Sequence, residues 1–143
     1  MDANTIELLK ECSSGCQMGM DSVKKMREYA EDPELNHLLE AYGEKHRKLE
    51  EKIVQELAKY GKQESAPSKM AEMMARMEMH MKMFMHPDDK QVAKIMMDGC
   101  NMGIQSVSEY VNKYPDASKA SQEIAKELIR IEEDFMQEMK SFV

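Results

Sequence analysis

The chain has 143 residues, enough for one domain with a buried core, and carries a formal net charge of −7. That charge, with Lys45, His46, Arg47 and Lys48 as the densest basic run, argues against a duplex-DNA or anionic-membrane binder, which needs a basic face to replace counterions. Met, Glu, Lys, Leu and Ala dominate, Val and Ile are sparse and Trp is absent, so the composition predicts an all-α chain with little to build strands from.

The N-terminal MDANTIELLKE has no basic stretch followed by an apolar run, so no signal peptide is expected. No stretch reaches the roughly 20 apolar residues of a membrane span. Three cysteines, an odd number, argue against a disulfide framework, and the expected location is cytoplasmic.

The first helix is predicted from about Thr5 to Ala30, capped by Asn4 or Thr5. Its apolar stripe is Leu9, Cys12, Cys16, Gly19, Val23, Met26 and Ala30. Asp32 and Pro33 suit the N-cap and first position of a second helix, from Pro33 to Tyr60. Its stripe is Leu35, Leu39, Tyr42, His46, Leu49, Ile53, Leu57 and Tyr60, and Gly61 is its stop. A polar break follows at 62–68. His86-Pro87-Asp88-Asp89 restarts a helix over about 88–114, with Pro near the first position and the stripe Met96, Cys100, Gly103, Val107 and Tyr110. After Tyr114-Pro115-Asp116, a fourth helix covers about 116–142, with the stripe Ala120, Ile124, Leu128, Ile131, Phe135, Met139 and Phe142.

Residues 15–23 read GCQMGMDSV, and the pattern returns at 99–107 as GCNMGIQSV. With a small slip at the turns, Tyr42, His46, Leu49, Ile53 and Leu57 fall opposite Ile124, Leu128, Ile131, Phe135 and Met139, while Glu50 and Glu51 match Glu132 and Glu133. Such a repeat points to two copies of one supersecondary unit. The expected architecture is a single domain over 1–143, made of helical hairpins 5–60 and 88–142 joined by a crossover at 62–87. Two hairpins and one long crossover give a ferritin-like antiparallel four-helix bundle, with a short Met-rich helix in the crossover. On the helix around Leu9–Val23, the DPEL turn at 32–35, the Ser68–Asp89 segment and Gly99–Gly103, the chain resembles an uncharacterised bacterial ferritin-like family, a domain of unknown function. The resemblance covers most of the chain and implies the fold; it implies no activity. Positions beside these glycines tend to be acidic or aromatic in that family, whereas here they are Cys16, Gln17, Met18, Cys100, Asn101 and Met102.

A di-iron site needs a Glu from each of two helices and Glu-x-x-His from each of the other two. Glu34-Leu-Asn-His37 has the spacing but lies in a first helical turn, the fourth helix has no His, and the inward stripes of the first and third carry no Glu. A soft-donor layer is the sharper candidate. Cys12, Cys16 and Met20 share one helix face, Met96 and Cys100 occupy the equivalent stripe, and His46 falls level with Cys16, with Leu128 as the fourth wall. Thiolate, thioether and imidazole together suit Cu(I), or less well Zn(II). The alternative is packing: small residues spaced by four let helices approach, buried Cys and Met fill cores, and His46 bonds Tyr42 or a buried water.

Eight of residues 70–85 are Met. Met70, Met73, Met74, Met77, Met81 and Phe84 follow a helical stripe, leaving Met79 and Met83 off it. Three roles compete: a gap-filling crossover helix, a surface for self-association or a protein partner, and a Cu(I)-loading segment with His80 and His86. Glu40, Glu44, Glu132 and Glu133 read as solvated helix surface. No phosphate loop, nucleophile–base set or zinc-finger spacing is present. The expectation is therefore a non-enzymatic, self-associating or partner-binding bundle, with cytosolic Cu(I) binding or storage as the rival.

Overall fold

A computed structural model describes residues 2–64, 75 and 86–143; the crossover methionines, Met79 and Met83 among them, lie outside the described residues. The described chain contains four long helices: α1 (Asp2–Arg27), α2 (Pro33–Ala58), α3 (Asp89–Lys113) and α4 (Lys119–Met139), with a 3-10 turn at Lys140–Phe142. No strand occurs among the described residues.

Local chemistry sets the helix ends. Asp32 caps α2, its carboxylate accepting from the amides of Glu34 at 2.8 Å and Leu35 at 3.4 Å, with Pro33 opening the helix as expected. At the other end Gly61 takes φ 68°, and the Lys62 amide reaches back to the Leu57 carbonyl at 3.0 Å. Three starts differ from expectation. α1 is already helical at Asp2, so Asn4 and Thr5 lie inside it instead of capping it. Asp88 caps α3 in a reciprocal box with Gln91, so Pro87 precedes the cap instead of occupying the first helical position. Ser118 caps α4, accepting from the Ser121 amide at 3.1 Å, so Asp116 and Ala117 stay outside the helix.

Helix α1 packs against all three others, and α4 against both α2 and α3. Hydrogen bonds fasten the turns to facing helices. The Asp89 carboxylate in the first turn of α3 accepts from the amides of Glu31 and Asp32, in the α1–α2 turn, at 2.8 and 3.1 Å. The Ser118 amide before α4 donates to Thr5 of α1 at 2.8 Å, and Asn4 donates to Asp116 at 2.9 Å.

Most residues of the predicted stripes are buried and meet in two apolar clusters; Ala120 is exposed, and Ser121 turns inward in its place. One gathers Val23, Met26, Leu35, Leu39, Tyr42, Val92, Met96, Cys100, Phe135 and Met139. The other gathers Leu8, Leu9, Cys12, Cys16, Leu49, Ile53, Leu57, Val107, Ile124 and Leu128. No helix among the described residues is long and apolar enough to cross a membrane.

Candidate functional site, a polar layer at mid-bundle

Where the two clusters meet, each helix contributes a residue that is not apolar. Gly19 stands between Cys16 and Val23, His46 between Tyr42 and Leu49, Gly103 between Cys100 and Val107, and Glu132 between Leu128 and Phe135. These four residues line one cavity of about 30 Å³. Gly15 and Gly99 line it too, so all four glycines of the repeated segments surround it, with Met18, Ser22, Ile95, Met96, Cys100 and Phe135. The volume is room for an ordered water and far below what an organic substrate needs.

His46 is 0% exposed and both ring nitrogens are engaged. Nδ1 lies 2.6 Å from the Tyr42 carbonyl oxygen one turn back. A carbonyl only accepts, so Nδ1 carries a hydrogen and donates. Nε2 lies 2.5 Å from Oε1 of Glu132, across the bundle on α4. With Nδ1 committed to Tyr42, a protonated imidazole donates from Nε2 to the Glu132 carboxylate, a charge-assisted contact. Burial alone pulls the imidazole pKa down, but the bond to Glu132, its charge and the Tyr42 carbonyl outweigh burial and hold it above the usual histidine value.

The glycines explain how the pair fits. A Cβ at Gly19 would lie 2.6 Å from Nε2 and 2.8 Å from Cγ of His46, so only glycine leaves room for the ring. A Cβ at Gly103 would meet Cδ of Glu132 at 3.5 Å, an ordinary contact. Phe135 closes one side, stacked on Tyr42 with centroids 4.6 Å apart and tilted 59° to the His46 ring.

The soft donors expected from the sequence are divided. Cys12 and Cys16 sit in one apolar cluster, while Cys100 and Met96 belong to the other and line the cavity beside His46. Met20 faces a separate open groove of about 470 Å³ between α1 and α2, whose rim includes Lys24, Arg27, Glu28, Glu40, Glu44 and Arg47. Burial first, then nearby carboxylates, raise the pKa of all three thiols, so they stay protonated and weakly nucleophilic. Among the described residues no group of three or more His, Cys, Asp and Glu could hold a metal ion.

The carboxylates correct the sequence reading at two places, Glu132 and Glu11, and a third, Glu50, is buried as well. Glu132 is 7% exposed and paired, not solvated. Glu11 of α1 is buried, accepting from Ser106 of α3 at 2.5 Å, although no inward Glu was expected on that helix. Glu50 of α2 is buried and accepts from Ser13 at 2.7 Å. The usable signal was spacing: Glu132 lies four residues after Leu128 and three before Phe135, a position that fits the inward face as well as Ile131 does. Glu34, His37, Glu40, Glu44 and Glu133 are exposed, as expected.

Residues 4–113 match a domain of unknown function, DUF2383. No curated protein and no solved structure matches the chain. The match takes in Gly19, His46 and Gly103 and ends before α4, which carries Glu132. Spanning well over half of the sequence, it identifies the chain as a member of the DUF2383 family.

Proposed function

We propose that this DUF2383 member is a non-enzymatic, cytoplasmic, ferritin-like antiparallel bundle that self-associates, or binds a protein partner, through a Met-rich crossover helix. The density of methionine over residues 70–85, with Met79 and Met83 off the helical stripe, carries the reading. Unbranched thioether side chains adapt to a partner's shape, and a cluster of them outside a core is a recognised interaction surface. The His46–Glu132 layer does not itself offer a substrate site. The mid-bundle cavity is too small for an organic substrate, and its one thiol, Cys100, is held protonated. Size-exclusion chromatography with light scattering, across a concentration series, tests the proposal. Wild type is expected to form dimers or larger species, and Met79→Glu with Met83→Glu to shift them to monomer. A strict monomer at high concentration, unchanged in the variant, sinks it.

One observation favours a second reading, Cu(I) binding: Cys100, Met96 and His46 line the same cavity. Cys12, Cys16 and Met20 stand apart from it. Anaerobic Cu(I) titration against a competing chelator decides. Equal affinity in wild type and in a Cys12, Cys16, Cys100→Ser triple variant removes this reading.

A further inference from the structure

The apolar residues of α4 do not by themselves settle which way it turns. Leu128 and Phe135 are both buried, and between them either Ile131 or Glu132 completes an inward stripe. Hydrophobic burial alone would choose Ile131. The structure turns Glu132 inward and leaves Ile131 half-buried at the border of the two clusters. What Glu132 finds there is His46, in a gap that Gly19 leaves open.

The near-repetition of the chain raises a second ambiguity. Segments 15–23 and 99–107 are closely alike, so α1–α2 and α3–α4 offer similar faces, and pairing like with like, within one copy or between two, is the natural competitor. At the mid-bundle layer the likeness fails. In the repeat, Leu128 stands opposite His46, and Glu50 opposite Glu132. Packing α4 against α4 would set two Glu132 carboxylates together, and packing α2 against α2 would bury two imidazoles with no carboxylate facing either Nε2. Only α2 against α4 satisfies both groups.

We propose that the His46–Glu132 contact is a pairing key, a buried polar contact that selects one rotation of α4 and one partner for α2, and that it supplies uniqueness instead of net stability. The physical basis is that two polar groups taken out of water recover little more than their desolvation cost, whereas every competing arrangement leaves one of them unpaired. Gly19 serves the key directly, since any side chain there excludes the ring.

The test replaces both members at once. His46→Leu with Glu132→Leu removes the key and keeps an apolar layer. The double variant is expected to melt no lower than wild type, while its α4 amides appear as two or more sets in a two-dimensional NMR spectrum, or lose hydrogen-exchange protection by at least tenfold relative to wild type. One native-like set of signals, with contacts between the side chains at positions 46 and 132, overturns the proposal. A markedly lower melting temperature, or failure to fold, overturns it as well, because the pair would then be a stabiliser. Glu132→Gln, which can still donate to Nε2, is expected to retain one set; doubling in that variant also counts against the key.

Discussion

Glu50 and Glu132 hold matching places in the two halves of the chain and both are buried, yet their surroundings differ. Glu132 meets an imidazole that arrives from another helix through the gap at Gly19, and the two are hydrogen-bonded. Glu50 meets the Ser13 hydroxyl at 2.7 Å, and its Oε2 is buried with no hydrogen-bond partner among the described residues. Burial, together with the neighbouring Glu64 carboxylate and against the pull of the Ser13 bond, pushes Glu50 up to about 7. A buried carboxylate opposed by a group that can carry positive charge has its charge answered on the spot. One held by a single hydroxyl, with burial and a second carboxylate acting against it, takes up a proton more readily than a solvated carboxylate does. Repetition of the helix pattern therefore did not repeat the chemistry, because the facing residue decides it.

The largest expected effect breaks the comparison at its centre. Glu132→Leu leaves His46 fully buried with Nε2 unpartnered, and the expected loss is about 3–5 kcal/mol in urea unfolding at pH 7. Glu50→Leu removes a carboxyl that is already only half satisfied, so its expected change lies within about 1 kcal/mol of wild type. Equal losses at the two sites would show that the surroundings described above do not distinguish them.

Next comes the gap itself. Gly19→Ala puts a methyl against the imidazole, and a flat ring packed between helices has little room to yield. About 1–3 kcal/mol of destabilisation is expected from this overpacking. Gly103→Ala, its equivalent in the repeat, makes only ordinary contact with Glu132 and is expected to cost much less. Thermal melts of the two variants side by side measure the asymmetry, and similar shifts would contradict it.

Acidity separates the two carboxylates more gently. The Glu50 pKa is raised in the folded chain from 4.5 to about 7, so the stability it lends is full below pH 4.5 and is lost as pH rises through 7. Glu50→Gln should therefore gain on wild type between pH 5 and pH 8 and level off above. The gain is about 1–2 kcal/mol, less than the full shift would carry because Glu64 is exposed and its charge screened. His46 is also raised, so its contribution likewise falls with rising pH, through a folded value above 6.5. Any slope surviving in Glu50→Gln and vanishing in a further His46→Gln belongs to the imidazole. A flat urea-midpoint profile in wild type would refute both assignments.

Much of the fold was legible because helix ends and stripes are local. Asp32-Pro33 and Gly61 declared their roles in sequence, and the stripe from Leu35 to Leu57 is buried as read. The α4 start was misplaced because Pro115-Asp116 looks like a helix opening, while Ser118 holds the actual cap. The site was half legible. His46, Cys100 and Met96 were picked out and do share a cavity. Glu132 was passed over because a charged residue beside Glu133 reads as surface, and only a facing imidazole on another helix makes burial tolerable. Cys16 and Cys100 match in the repeat yet fall in different clusters. Sequence alignment gives them equivalent positions along their helices but not the same neighbours.

The smallest predicted effect sharpens that last point and runs in the opposite direction. Gly15 and Gly99 open the two repeated segments, and both lie within helices. A Cβ at Gly15 would sit 3.0 Å from a Leu128 methyl, tighter than side chains normally accept, whereas a Cβ at Gly99 meets nothing within 4 Å. Glycine inside a helix forgoes stability relative to alanine because the unfolded chain has more freedom to lose. Gly99→Ala should therefore stabilise the protein by about 0.5–1 kcal/mol, with no packing penalty to offset the gain. Gly15→Ala has the same gain in unfolded-state entropy but must displace Leu128, so it should fall below Gly99→Ala in melting temperature. If Gly99→Ala lowers the melting temperature, then the space beside α3 is not open in solution. The cavity between the repeated glycines would then be smaller than 30 Å³.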